Sequence, residues 1–123
     1  MKVDILGIKI DDISMDEAVE TVQSWLSKPG KHIIVTPNPE FIVVAKKDQE
    51  FKKILNNADL AIPDGVGLKL AGVKNNVSGV DLMEELVKLA SENSYTVSFL
   101  GGRGNVAKLT TERLVGKYPN LKI

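Results

Sequence analysis

The chain has 123 residues, with 16 Lys plus Arg against 16 Asp plus Glu, one histidine and no cysteine. That length is the usual size of one domain, residues 1–123 here, and a zero net charge gives no global electrostatic case for nucleic acid or an anionic surface. Composition alone excludes disulfides, thiolate metal sites and a histidine-rich metal site, and no apolar run has the length of a membrane-spanning helix.

In chain order, Met1-Lys2-Val3-Asp4 lacks the pattern of a signal peptide, so a cytoplasmic location is expected. "VDILGIKI" reads as a strand broken at Gly7. Ser14 or Asp12 can cap the next helix, and Glu17 completes a capping box with Ser14. Met15, Ala18, Val19, Val22, Trp25 and Leu26 recur at helical spacing, and Pro29-Gly30 ends that pattern. "KHIIV" is a short β-rich run. A helical pattern then runs from Pro39 through Phe41, Ile42, Val44 and Ala45, and again through Phe51, Ile54 and Leu55. "ADLAI" reads as a buried strand stopped by Pro63-Asp64-Gly65. "GVGLKLAG" predicts a short, glycine-loosened helix, and "VDLMEELVKLASEN" a clear one with Leu82, Leu86, Leu89 and Ala90 on one face. "YTVSFL" is a strand candidate, and "GGRGNVAKLTTERLVGKY" a glycine turn followed by a helix. "YPNLKI" reads as a turn and the first residues of a strand, which suggests a chain that is part of something longer.

Strands and helices thus alternate. The expected class is α/β, a Rossmann-like, largely parallel sheet with helices on both faces and right-handed connections. Ligands of open α/β sheets bind beyond the carboxyl ends of the strands. That rule selects three loops: Thr36-Pro37-Asn38, Pro63-Asp64-Gly65 and Gly101-Gly102-Arg103-Gly104.

Each loop has a structural and a functional reading. Asn38 is a natural helix N-cap, with Pro39 suited to the first helical position. The capping oxygen leaves the Asn38 amide group free, so Asn38 and Thr36 can also bind a sugar or phosphate. Pro-Asp-Gly is an ordinary turn tripeptide. Yet Asp64 lies at a strand's end before glycines that let a ligand approach the backbone, where a carboxylate can take a proton from a hydroxyl. Gly102-Arg103-Gly104-Asn105-Val106-Ala107 fits the G-x-G-x-x-A dinucleotide pattern, without the acid expected about 20 residues on. The milder inference is a helix start that receives phosphate oxygens. His32 reads as a packed or paired histidine, Trp25 as core, Glu84-Glu85 and Lys52-Lys53 as solvated faces, and Asp81 as a capping or dipole-compensating acid.

"IVTPNPEFIVVAKKDQEFKKILNNADLAIPDGVGL", "VSGVDLMEEL" and "FLGGRGNVA" together resemble the WecG/TagA/CpsF glycosyltransferases, in order and spacing, from near Met1 to Ile123. The TagA-type N-acetylmannosaminyltransferases of wall teichoic acid synthesis look most similar. The resemblance implies an inverting enzyme that moves N-acetylmannosamine from a UDP-sugar to polyprenyl-diphosphate-linked N-acetylglucosamine at the inner membrane face. It implies no metal, no cofactor beyond the UDP-sugar donor and a peripheral membrane location; with zero net charge no nucleic-acid partner is expected, and a homo-oligomer is allowed. The family's catalytic base falls on Asp64, and its active-site threonine and asparagine on Thr36 and Asn38. Gly65, Gly101 and Gly102 are expected to approach substrate. Two departures stand out. Asn76 replaces a pocket arginine, for which Lys74 is an imperfect substitute. The family also continues into a glutamine-containing segment and a basic appendage, so residues 1–123 are expected to form its amino-terminal part, incomplete as an enzyme. The alternatives are a dinucleotide-binding module using Gly102, Gly104 and Ala107, and a non-catalytic piece that needs a carboxyl-terminal partner.

Overall fold

A computed structural model describes residues 2–123. The chain divides into two compact units, Met1–Leu82 and Met83–Ile123. Each has an apolar cluster of its own.

The first unit opens with an antiparallel hairpin of β1 (Lys2–Ile5) and β2 (Ile8–Asp11), in the register Lys2↔Asp11 to Ile5↔Ile8. "VDILGIKI" is therefore two paired strands rather than one broken strand. The turn is Leu6-Gly7, with φ of 51° and 89°. Positive φ at both central residues gives the tight turn whose twist matches a hairpin. Asp4 stabilises it by accepting from the Gly7 amide at 2.8 Å.

Helix α1 (Met15–Leu26) starts as expected, with Ser14 and Glu17 forming a reciprocal capping box. Ser14 is the cap, and Asp12 is engaged elsewhere. The apolar stripe buries Ala18 completely. Trp25 is only half-buried, and its ring stacks on the exposed His32 with centroids 4.2 Å apart. The helix ends before Pro29-Gly30 is reached.

Next comes β3 (Ile34–Val35), then α2 (Pro39–Lys47), α3 (Gln49–Asn57) and β4 (Leu60–Ala61). Asn38 caps α2 with Pro39 in its first turn, as expected. Asp48 both ends α2 and caps α3, its side chain accepting from the Phe51 amide at 3.0 Å. The strands β3 and β4 pair in parallel, Ile34 with Leu60 and Val35 with Ala61. Both are shorter than "KHIIV" and "ADLAI" suggest. At Ile33 the amide bonds to the Asp59 carboxylate at 2.7 Å, so a side chain takes the place of a ladder partner. At the other end Pro63 has no amide to extend the pairing.

The core of this unit joins Ile5, Ile8 and Ile10 from the hairpin to Ile42, Ala45 and Leu55 from α2 and α3, and to Leu68 and Val73. Phe41 meets Phe51 edge-on against it, with centroids 5.6 Å apart. Asp11 is the buried polar residue, its carboxylate accepting from the Ala61 amide at 2.8 Å and lying 3.1 Å from Lys2 Nζ. Hairpin and parallel pair are thus joined by a charge-assisted bond. The expected glycine-loosened helix is a 3-10 turn over Val66–Ala71, closed by Gly72.

Helix α4 (Gly79–Asn93) matches the predicted helix, burying Leu82, Leu89 and Ala90. Leu86 is half-buried, and Val87, not assigned to that face, is 2% exposed. Within the second unit, α5 (Val106–Lys117) follows the glycine turn. Val87, Ala90, Leu114 and Leu121 form its cluster, with Tyr95, Val97, Phe99 and Tyr118 packed against them. "YTVSFL" does not form a strand of its expected length. It makes one parallel bridge, Thr96 to Lys122, and one bond from the Val97 amide to the Lys122 carbonyl at 2.9 Å. A β-prone run becomes a strand only against a partner of matching length.

The described residues therefore form a mixed α/β chain whose sheets are a two-stranded hairpin and a two-stranded parallel pair. No helix among them is long and apolar enough to cross a membrane.

Candidate active site

The parallel pair places two similar loops side by side. Val35 leads into Thr36-Pro37-Asn38, and Ala61-Ile62 leads into Pro63-Asp64-Gly65. Pro37 and Pro63 are both fully buried. A buried proline leaves no orphan amide, so each chain can turn away from the strand within the interior at low cost. The Pro63 carbonyl accepts from the Val77 amide at 2.9 Å, and the Ile62 amide donates to the Val35 carbonyl at 2.9 Å. Both loops are pinned at their roots.

Thr36, Asn38 and Asp64 are half-buried, able to meet a ligand while held by the protein. Asn38 Oδ1 accepts from the Phe41 amide at 3.0 Å, which leaves its Nδ2 group free of the cap. Asp64 Oδ2 accepts from the Gly79 amide at 3.2 Å. A Cβ at Gly79 would stand 2.9 Å from Thr36 Cγ2 and 3.2 Å from Asp64 Oδ2. Thr36 and Asp64 therefore flank the same backbone position. Gly65, at φ 107°, lies against the other loop, where a Cβ would be 3.4 Å from Pro39 Cδ and 3.9 Å from Asn38 Cβ. Thr36, Asn38, Asp64 and Gly65 are thus brought together within the first unit.

Gly101 and Gly102 belong to the second unit. They line a cleft of about 220 Å³ with Phe99, Leu100, Val106 and Ala107. The G-x-G-x-x-A segment does precede a helix, but Asn105 makes no side-chain cap bond and no regular strand leads into it.

Three further residues organise the first-unit site: Asn76, noted in the sequence only as the replacement of a pocket arginine, and Gly79 and Asp12, which were not singled out for it. Asn76 Oδ1 accepts from the Gly65 amide at 2.9 Å, a bond that an arginine cannot make. Gly79 provides the space between Thr36 and Asp64. Asp12, just beyond β2, accepts from the Lys74 amide at 3.0 Å, the Asn75 amide at 2.9 Å and Asn75 Nδ2 at 2.8 Å. These donors, the Lys74 amide first, hold the Asp12 carboxyl below the usual carboxylate range against an opposing desolvation effect. The sequence signal was Asp11-Asp12 at the end of a strand, two acids in a place where one helix cap explains only one of them.

The remaining candidates have structural places. His32 Nδ1 lies 3.7 Å from Asp59 Oδ1. Asp81 sits in the first turn of α4. Glu84 pairs with Lys117, which lowers the glutamate's pKa and raises the lysine's through their hydrogen bond and mutual charge. Among the described residues no group of three His, Cys, Asp or Glu gathers closely enough to hold a metal ion.

The class of site is thus a ligand-accessible carboxylate and two polar side chains at the carboxyl ends of a parallel strand pair. The chain belongs to the glycosyl transferase WecG/TagA/CpsF family, whose model matches residues 3–123. It is similar to the N-acetylglucosaminyldiphosphoundecaprenol N-acetyl-beta-D-mannosaminyltransferases of Staphylococcus aureus strains NCTC 8325 / PS 47 and COL. Identity to each is 30% over 98% of this chain and 50% of the relative. The chain spans about half the length of the curated relatives it matches.

Proposed function

We propose that residues 1–123 are the amino-terminal part of a Rossmann-like glycosyltransferase catalytic domain. The full-length protein transfers N-acetylmannosamine from a UDP-sugar to polyprenyl-diphosphate-linked N-acetylglucosamine, in wall teichoic acid-like polymer synthesis. Family membership and the activity for which the Staphylococcus aureus relatives are named support the reaction class. The observation that carries the site is the convergence of Thr36 and Asp64 on Gly79. Asp64 takes the proton from the acceptor hydroxyl. That oxygen bonds to the anomeric carbon as the bond from this carbon to UDP breaks, UDP leaving with the electron pair and the configuration inverting. Thr36, the free Nδ2 of Asn38 and the Gly65 backbone position the reacting sugars. No metal or further cofactor takes part. The enzyme works at the inner membrane face as a peripheral protein.

The test is a transfer assay on the full-length protein with UDP-N-acetylmannosamine and lipid-linked N-acetylglucosamine, with and without EDTA. Transfer that is unchanged within about twofold by EDTA is expected, together with binding of UDP and none of NAD. Tight NAD binding without a response to UDP would overturn the assignment in favour of a dinucleotide module.

A further inference from the structure

Between the 3-10 turn and α4, residues 73–78 form no helix or strand, yet they carry bonds to Asp12, just beyond β2, and to the loop that bears Asp64. One end is held by Asp12, whose carboxylate collects three N–H donors from Lys74 and Asn75 across more than 60 residues of chain. The middle holds the aspartate loop: Asn76 Oδ1 takes the Gly65 amide and the Val77 amide takes the Pro63 carbonyl. The far end delivers the Gly79 amide to Asp64 Oδ2 at 3.2 Å. So the aspartate's backbone is gripped on both sides, at Pro63 and Gly65, by the same segment that orients its side chain. Asp12 is adjacent in sequence to Asp11, which is buried and bonded to the Ala61 amide of β4. The two acids therefore tie one strand end to β4 and to the segment that follows it.

From this arrangement we propose that Asp12 and Asn76 are positioning residues for Asp64, acting through residues 74–79, with Asp12 anchoring the segment and Asn76 coupling it to the Gly65 backbone. Neither contacts substrate. The proposal rests on the reading of Asp64 as the base but has a consequence independent of transfer. If Asp12 anchors the segment, removing its carboxylate loosens the Gly65 and Gly79 amides even in the absence of substrate. The lowered pKa of Asp12 fits an anchor that stays ionised at neutral pH.

The experiment compares full-length Asp12→Ala and Asn76→Ala with Ser14→Ala, which removes a helix cap of the same unit without touching the segment. Amide hydrogen exchange at Gly65 and Gly79, read by NMR, should quicken at least about 10-fold in Asp12→Ala, and Asn76→Ala should do the same at Gly65. Ser14→Ala should leave both amides within about twofold. In the transfer assay the two segment variants should lose about 10- to 100-fold in kcat with KM nearly unchanged, as misplacement of a catalytic group predicts. Should Asp12→Ala not fold, Asn76→Ala decides alone through the Gly65 amide and the same split of kcat from KM. Unchanged exchange at Gly65 and Gly79 overturns the positioning role, as does a loss confined to KM. A wild-type protein with no transfer activity would refute the glycosyltransferase reading, while the exchange data still decide whether the segment is anchored.

Discussion

Gly79 leaves no room for a side chain between the two loops. A methyl group there would press on Thr36 at 2.9 Å and on the Asp64 carboxylate at 3.2 Å. Because Thr36 follows β3 and precedes the buried Pro37, it has little freedom to withdraw. Gly79→Ala is expected to lose about 1–3 kcal/mol of stability, the usual cost of overpacking, despite alanine's better helix propensity. Gly116 is the contrasting case, a helical glycine of α5 with nothing within 4 Å of its would-be Cβ. Gly116→Ala should gain about 0.5–1 kcal/mol. Urea unfolding of both variants checks the pair, and an equal response at the two sites would contradict the packing argument. Asn38 shows why a structural reading and a functional one need not compete. Its Oδ1 is committed to the Phe41 amide while Nδ2 remains available.

At the scale of elements, the bond set on Asp12 makes the connection between β2 and residues 74–75 depend on pH. The folded-state pKa is lowered, so the unfolded chain binds the proton more readily. The stabilisation is fully present above the unfolded aspartate value of about 3.9 and is lost as pH falls through the lower folded value. The stability gap between wild type and Asp12→Asn should therefore stay constant from about pH 7 to 5 and shrink below about pH 4, read from urea midpoints. A gap that widens on acidification would have the wrong sign. Local signals made the helices legible. Ser14 with Glu17, and Asn38 with Pro39, announce helix starts within four residues of chain. The strands were legible as runs but not in length. What stops β3 at Ile34 is the Asp59 carboxylate on the Ile33 amide, a contact 26 residues away that periodicity does not report. The run Tyr95–Leu100 has strong β character but only the Lys122 bridge to pair with. The hairpin turn was hidden because leucine rarely takes the positive φ that Leu6 adopts.

For the whole molecule, the first-unit site was legible because its loops are marked by residues with special backbones. The prolines at positions 37, 39 and 63 and the glycine at 65 announce sharp exits from strands, and the strand-end rule turns those exits into a candidate site. Thr36, Asn38, Asp64 and Gly65 come together on that basis. The supports of the site were legible only in part. Position 76 was marked as a pocket position by its departure from arginine, but the bonds of Asp12 and Asn76 to backbone amides were not, because an amide partner leaves no trace in residue type. The family match over residues 3–123 agrees with the resemblance carried by the same proline and glycine blocks. The assignment of Asp64 as the base of a sugar transfer is tested by Asp64→Asn in the full-length protein, assayed at saturating UDP-N-acetylmannosamine and lipid-linked acceptor. A fall in kcat of about 10²–10⁴ with donor binding preserved is expected. An unchanged rate of transfer would contradict it.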